Sequence, residues 1–180
     1  MGYRKYVSDY RLDKQLTGSG RVKTTAVYKG DWFTYRESPE AIRRLAWLVL
    51  GIALAVLAME LPMLFCNTLI SYTIYALLPM AFVLFPVYQL ILTGVRLLRF
   101  RAPLTREQSD QAEKGLRRGC WLLLILVGVH LAGCTAYCFF PGLQKGELPL
   151  IICVAVAMVL AVLLFTQRNK AQTVPVKAEQ

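Results

Sequence analysis

The stretch LAWLVLGIALAVLAMELPMLF, from Leu45 to Phe65, contains one charged side chain, Glu60. A membrane-spanning helix needs about 20 predominantly apolar residues, because the hydrocarbon core of a bilayer is about 30 Å thick. Further stretches of the chain also meet this length, and they cover residues 69–95, 119–141 and 148–166. The sequence therefore predicts a membrane all-α fold, a four-span bundle of transmembrane helices.

The overall composition supports this class of protein. The chain has 180 residues, of which 56% are hydrophobic and 18% are charged. Soluble domains have about 25% charged residues, so this chain is too apolar and too poor in charge for that class. The first 15 residues contain no apolar core of a cleavable signal peptide. We expect the first span itself to act as the insertion signal.

Lysine and arginine are distributed unevenly along the chain. Of the 21 basic residues, 20 lie in residues 1–44, 96–118 and 168–177, and the remaining one is Lys145. Basic loops stay on the cytoplasmic side of a membrane. We therefore expect a multi-pass protein of the plasma (cytoplasmic) membrane with both termini in the cytoplasm. The net charge of +10 is then an orientation signal.

Several residues mark where the helices begin and end. Ser38-Pro39-Glu40 has the composition of a helix start, with an N-cap residue, a proline and an acid in the first turn. Thr105 and Gln108 have the spacing of a capping box, which predicts a cytoplasmic helical connection over about 104–115 that can continue into the third span.

Prolines bear on the later spans as well. Pro79 and Pro86 lie inside the second span and should bend it, because each removes a backbone hydrogen bond. Pro141-Gly142 should end the third span.

The segment 1–37 is predicted to be a small cytoplasmic β-rich region. Gly30-Asp31 suits a hairpin turn between strands at Val22–Tyr28 and Trp32–Tyr35, and a third strand is expected within Tyr3–Arg11, before the flexible residues 17–20. A sheet of this size is marginally stable alone, so we expect it to lean on the membrane, the bundle or a partner. The bundle then covers 38–168, and the polar tail 169–180 is expected to be disordered.

Glu60 is the first candidate for chemistry, because a carboxylate within a span by default marks a functional site. Its place near the outer end of the first span favours an ordinary location among the outer headgroups. The alternatives are an ion- or proton-binding site, and a structural hydrogen bond inside the bundle.

His130 is the second candidate, near the middle of the third span. Cys134 and Cys138 follow it at four-residue intervals, and Cys66 and Cys153 are expected in the same outer leaflet. Imidazole and thiolates suit a soft metal, and outer cysteines suit a disulfide. The simpler interpretation is that the cysteines pack as small apolar residues and that His130 forms one interhelical hydrogen bond.

The basic rim is the third candidate. Clustered arginines beside a membrane attract anionic headgroups, although the same residues also set the topology. We predict this role for Arg43, Arg44, Arg96, Arg99, Arg101, Arg117 and Arg118. The basic residues follow the membrane boundary and no nucleic-acid-binding motif is present, so we expect no nucleic-acid partner.

The sequence contains no P-loop, nucleophile elbow or zinc-protease motif. We therefore expect no enzyme and no cofactor, but a structural or accessory membrane protein that docks a protein partner or a second copy. One alternative is a small transporter or channel subunit that uses Glu60 and His130. A second is a redox or metal-binding protein that uses His130 and the outer cysteines.

Overall fold

The computed structural model describes residues 6–16, 22–65, 69–139 and 147–176, and most of these are helical. The helices are α1 (Pro39–Glu60), α2 (Pro62–Phe65), α3 (Leu69–Tyr72), α4 (Ile74–Arg99), α5 (Arg106–Phe139) and α6 (Leu148–Thr166). The strands are β1 (Tyr10–Leu16), β2 (Val22–Tyr28), β3 (Phe33–Tyr35) and β4 (Thr173–Pro175), and a 3-10 turn at Val7–Asp9 precedes β1.

Four helical stretches are long and apolar enough to cross a bilayer, as predicted. They are Pro39–Phe65 with 27 residues, Ala76–Arg99 with 24, Arg106–Phe139 with 34 and Leu148–Thr166 with 19. The second stretch begins later than expected, because the helix is interrupted at Thr73. There the Thr73 hydroxyl donates to the carbonyl of Ile70 at 2.7 Å, and α4 starts at the next residue.

The four long helices pack as the corners of a square. α4 packs against both α1 and α5, and α6 also packs against both, so α1 and α5 lie diagonally opposite each other. Glycines allow two of these contacts to be close. A β-carbon on Gly94 would lie 2.7 Å from the Leu50 side chain of α1, and one on Gly119 would lie 2.8 Å from Leu90 of α4. A larger residue at either position would require the facing leucine side chain or the helices to shift.

The predicted helix starts are present. The Ser38 hydroxyl accepts a hydrogen bond from the Ala41 amide at 3.3 Å. The Thr105 amide donates to Gln108 Oε1 at 3.1 Å, and the Gln108 amide donates to Thr105 Oγ1 at 3.4 Å, which completes the capping box. The expected helical connection and the third span form one continuous helix, α5. Its expected end at 141–142 lies outside the described residues.

The N-terminal strands pair differently from the prediction. β2 pairs with β1 in an antiparallel hairpin that places Tyr10 opposite Tyr28, and it does not pair with β3. The predicted turn at Gly30-Asp31 is therefore wrong. The Tyr28 hydroxyl donates to the Asp31 carbonyl at 2.7 Å, and the Trp32 ring packs edge-on against that of Tyr28. These contacts hold the chain after β2 against the Tyr28 side chain, and β3 joins another strand.

The first strand also differs from the prediction. It runs from Tyr10 to Leu16, later in the chain than the expected Tyr3–Arg11, and the preceding Val7–Asp9 is a 3-10 turn. The three-stranded segment is thus a two-stranded hairpin plus a separate pair of strands. The predicted flexible residues 17–20 lie outside the described residues.

The C-terminal tail provides the partner of β3. β3 and β4 are antiparallel, with Thr34 opposite Val174. The Arg36 amide donates to the Gln172 carbonyl at 3.0 Å, and Ala171 is fully buried. The prediction that 169–180 is disordered is therefore wrong for residues 171–176. Pairing between segments at the two ends of the chain leaves no local sequence pattern that could have shown it.

The connection between α4 and α5 joins the same layer. The Phe33 amide donates to the Leu104 carbonyl at 2.9 Å, and the Leu104 amide donates back to the Phe33 carbonyl at 2.7 Å. The Thr173 and Ser109 hydroxyls also form a hydrogen bond, which ties β4 to α5. The N-terminal segment, this connection and the tail therefore meet at one end of the bundle. We call it the basic end, and the opposite end the far end.

We predict that deleting residues 172–180 releases one side of β3 only. The Arg36 amide loses its acceptor, the Gln172 carbonyl, and should exchange its hydrogen much faster. The Phe33 amide donates to Leu104, so it should stay protected and serves as the internal control. Hydrogen–deuterium exchange followed by NMR in detergent measures both amides. Equal loss of protection at both would show that β4 holds the whole layer together.

Candidate functional site: a buried carboxylate and imidazole

Glu60 and His130 meet in the interior of the bundle. Oε2 of Glu60, at the end of α1, lies 2.8 Å from Nδ1 of His130 on α5, and the two side chains are 1% and 0% exposed. The contact joins the two diagonal helices, so it crosses the centre of the bundle. Glu60 does not face outward, and the interpretation that places its carboxylate among headgroups is therefore wrong.

The two contacts of the imidazole constrain its protons. Nδ1 faces the Glu60 carboxylate, and Nε2 lies 3.2 Å from Sδ of Met63. Carboxylate oxygen and thioether sulfur are both acceptors, so each contact is favourable only with a hydrogen between the two atoms. A neutral imidazole carries one N–H, which serves one contact. Serving both contacts would take either a carboxylate with an imidazolium or a carboxylic acid with a neutral imidazole.

Both arrangements contain one proton more than an ionised Glu60 beside a neutral His130. Without that proton, two acceptors would face each other at Nδ1 or at Nε2. The 2.8 Å approach of Oε2 to Nδ1 is therefore favourable when the pair holds the proton.

Glu60 also has unused acceptor capacity. Oε2 is in ion-pair contact with Nδ1 but out of line for a hydrogen bond, and neither oxygen has a hydrogen-bond partner among the described residues. Buried polar atoms are nearly always paired, and an unpaired one needs a specific reason. A carboxylate left in this state can accept a proton, a water molecule or a small cation.

A second buried carboxylate lies at the far end of the bundle. It was not among the candidate residues predicted from the sequence. Glu147 directly precedes α6 and is 1% exposed. Its Oε1 accepts from the Tyr137 hydroxyl at 3.0 Å and from the Ile70 amide at 3.2 Å. Glu147 thus ties α3, α5 and α6 together. In the sequence, Glu147 is visible as an acidic residue at a helix start. That position predicts a favourable interaction with its own helix and not a contact between three helices.

Met63 was also not predicted as part of this site. It lies three positions after Glu60, a spacing that places two residues on one helical face, and it is 2% exposed. A methionine in an apolar span is normally read as packing. Only the tertiary structure shows that its sulfur faces the imidazole.

The cysteines are not brought together around His130. Cys134 is buried one turn away, Cys138 Sγ donates to the Cys134 carbonyl at 3.3 Å, and Cys153 is partly exposed on α6. These thiols are free, and Cys66 lies outside the described residues. Across 6–16, 22–65, 69–139 and 147–176, no group of three His, Cys, Asp or Glu residues is arranged to hold a metal ion.

The seven candidate arginines all lie towards the basic end, on α1, on the α4–α5 connection or on the adjacent ends of α4 and α5. Arg43 and Arg101 line a groove between α1 and α4, and Arg44 lines another beside the end of α6. Arg96 and Arg118 line a third groove, between α4 and α5.

Comparison of the chain with protein-family models, with curated proteins and with solved structures finds no match.

We predict that the Glu60–His130 pair is strongly coupled in stability. Glu60→Ala or His130→Ala alone leaves an uncompensated buried group, which should lower the free energy of unfolding by about 3–5 kcal/mol. The double variant Glu60→Ala/His130→Ala should lower the free energy of unfolding by clearly less than the sum of the two single losses. Reversible unfolding in detergent micelles gives the three values. Thr135→Ala is the control on α5, because this exposed side chain bonds only to its own helix. Additive losses would contradict the coupling.

Proposed function

We propose that this chain is a multi-pass protein of the cytoplasmic membrane with both termini in the cytoplasm. The four long apolar helices support spanning, and an even number of spans returns the chain to its starting side. The hydrogen bonds between β3 and β4 agree with this, since they join the N-terminal and C-terminal segments at one end. The excess of basic residues in those segments favours the cytoplasm for that end.

We further propose that the protein is an accessory protein that docks a protein partner through the β1–β2 hairpin. The supporting observation is an exposed apolar face. On it, Tyr10 and Leu12 lie opposite Tyr28 and Ala26, and the Leu12 side chain is 68% exposed. A two-stranded sheet is only marginally stable alone, and exposed apolar surface commonly marks an interaction site.

The edges of the hairpin suit the same role. Within the described residues, β1 and β2 pair only with each other, so each strand has an outer edge available for main-chain hydrogen bonds. A partner strand that adds to such an edge gains backbone hydrogen bonds, and side-chain pockets give it specificity.

Site-specific photo-crosslinking tests this proposal. A photoreactive residue at position 12 should crosslink in cells to a second polypeptide, which mass spectrometry then identifies, with a second copy of this chain as one outcome. The same residue at position 13 is the matched control, because Asp13 is on the other face of β1. Crosslinks only to lipid, or equal crosslinks from both positions, would contradict docking of a protein on this face.

The buried pair favours a second candidate function, proton- or cation-coupled transport. Its support is that the Glu60 carboxyl group lies 2.8 Å from His130 in the interior of the bundle, and that neither carboxyl oxygen has a hydrogen-bond partner among the described residues. A carrier needs a site that exchanges one bound cation for another, and ionisable groups inside a span commonly have this role. The carboxylate could take a small cation when the proton leaves.

Proton flux into proteoliposomes tests this candidate. With an outward sodium or potassium gradient and an internal pH dye, wild-type protein should acidify the vesicles faster than empty ones, because the cation leaves in exchange for protons, and Glu60→Gln should abolish the difference. Glu147→Gln is the matched control, since it changes an equally buried carboxylate whose amide analogue can still accept from Tyr137 and Ile70. Equal flux from both variants and wild type would assign Glu60 a structural role.

A further inference from the structure

We propose that the groove between α4 and the basic half of α5 binds the headgroup of an anionic phospholipid. This inference rests on the proposed membrane location and not on the docking role of the hairpin. The groove has a volume of about 780 Å³. Arg96 of α4 lies on one side of it, and Lys114 and Arg118 of α5 lie on the other. Basic pockets between helices at the cytoplasmic surface are suited to anionic headgroups.

The acidic residues in the groove are already occupied. Asp110 accepts from the Tyr6 hydroxyl at 2.7 Å and from Lys114 Nζ at 2.7 Å. Glu107 accepts from the Gln111 side-chain amide at 3.0 Å. Asp110 is thereby paired with Lys114, whereas Glu107 keeps its charge. Three basic and two acidic side chains line the groove, which leaves it with a net charge of +1.

Arg96 and Arg118 form no ion pair with any described carboxylate. The groove therefore offers two uncompensated guanidinium groups, each of which can donate two parallel hydrogen bonds to a phosphate. This is the charge complement of a headgroup with a net negative charge. A zwitterionic headgroup would bring its own ammonium group against the same cations.

The polarity of the groove changes along its length. Phe85 and Tyr88, which are 56% and 60% exposed, line the part of the groove towards the far end. Arg96 lies eleven residues further along α4, or about 16 Å at 1.5 Å per residue. An anionic phosphate beside Arg96 and Arg118 would thus have its acyl chain against Phe85, as in a phospholipid lying along the helix.

Tyr6 also lines the groove, beside Asp110. Burial and the hydrogen bond to Asp110 raise the pKa of Tyr6 to about 12. The phenol is therefore protonated at neutral pH and donates to Asp110.

Thermal unfolding of the full-length protein in a non-ionic detergent tests the site. Phosphatidylglycerol should raise the Tm of the wild type by roughly 5 °C at a hundredfold excess over its dissociation constant, and phosphatidylcholine should not. The double variant R96Q/R118Q should lose this rise. The control R36Q/R106Q removes two exposed arginines of the basic end that lie outside the groove lining and outside the seven candidate arginines, and it should keep the rise.

Every other outcome is decisive against the proposal. Equal loss in both double variants would mean general attraction by the basic rim, and no loss in either would mean that the groove is not the site. An equal shift with glycerol phosphate would assign the groove to a soluble phosphate compound. Resistance of the chain to carbonate extraction from membranes, measured separately, reports on the proposed location. The hairpin crosslink reports on docking.

Discussion

A carboxylate and an imidazole 2.8 Å apart, both with almost no solvent exposure, constrain how the bundle is assembled. Burying either group without the other costs several kcal/mol. Glu60 and His130 belong to diagonally opposite helices. Their contact therefore constrains how α1 and α5 are each rotated about the helix axis, because both side chains must face the interior. In a membrane there is no hydrophobic driving force between helices, because lipid tails are as apolar as the interior, so a buried polar pair constrains helix rotation in addition to the packing of small residues.

Polar contacts at the two ends complete the arrangement. At the far end, Glu147 accepts from Tyr137 and from the Ile70 amide, which holds α3 and α6 to α5. At the basic end, β3 is bonded to β4 on one side and to Leu104 on the other. The bundle is therefore joined by polar contacts at three levels, and close helix packing at Gly94 and Gly119 lies between the centre and the basic end.

The Glu60–His130 pair and the groove at Arg96 and Arg118 both follow from the cost of an unpaired charge away from water. An ionisable group within the apolar part of the bundle must be neutralised by a partner or a proton, and Glu60 with His130 meets that requirement internally. At the basic end, Arg96 and Arg118 form no ion pair with any carboxylate in the part of the chain that the structure describes. The first environment suits exchange of a proton, and the second suits recognition of an anionic lipid.

Local sequence patterns were enough to predict the four long apolar helices, the Ser38 cap and the Thr105–Gln108 capping box. These depend on local composition and on spacing within one turn, which the hydrocarbon thickness and backbone hydrogen bonding dictate. Glu60 and His130 were each recognisable as costly in a span. Their contact with each other, the contact of Met63 with the imidazole and the pairing of β3 with the tail arise from the folding of the whole chain. Such contacts depend on helix rotation and on long-range pairing, and neither is encoded in the period of a single segment.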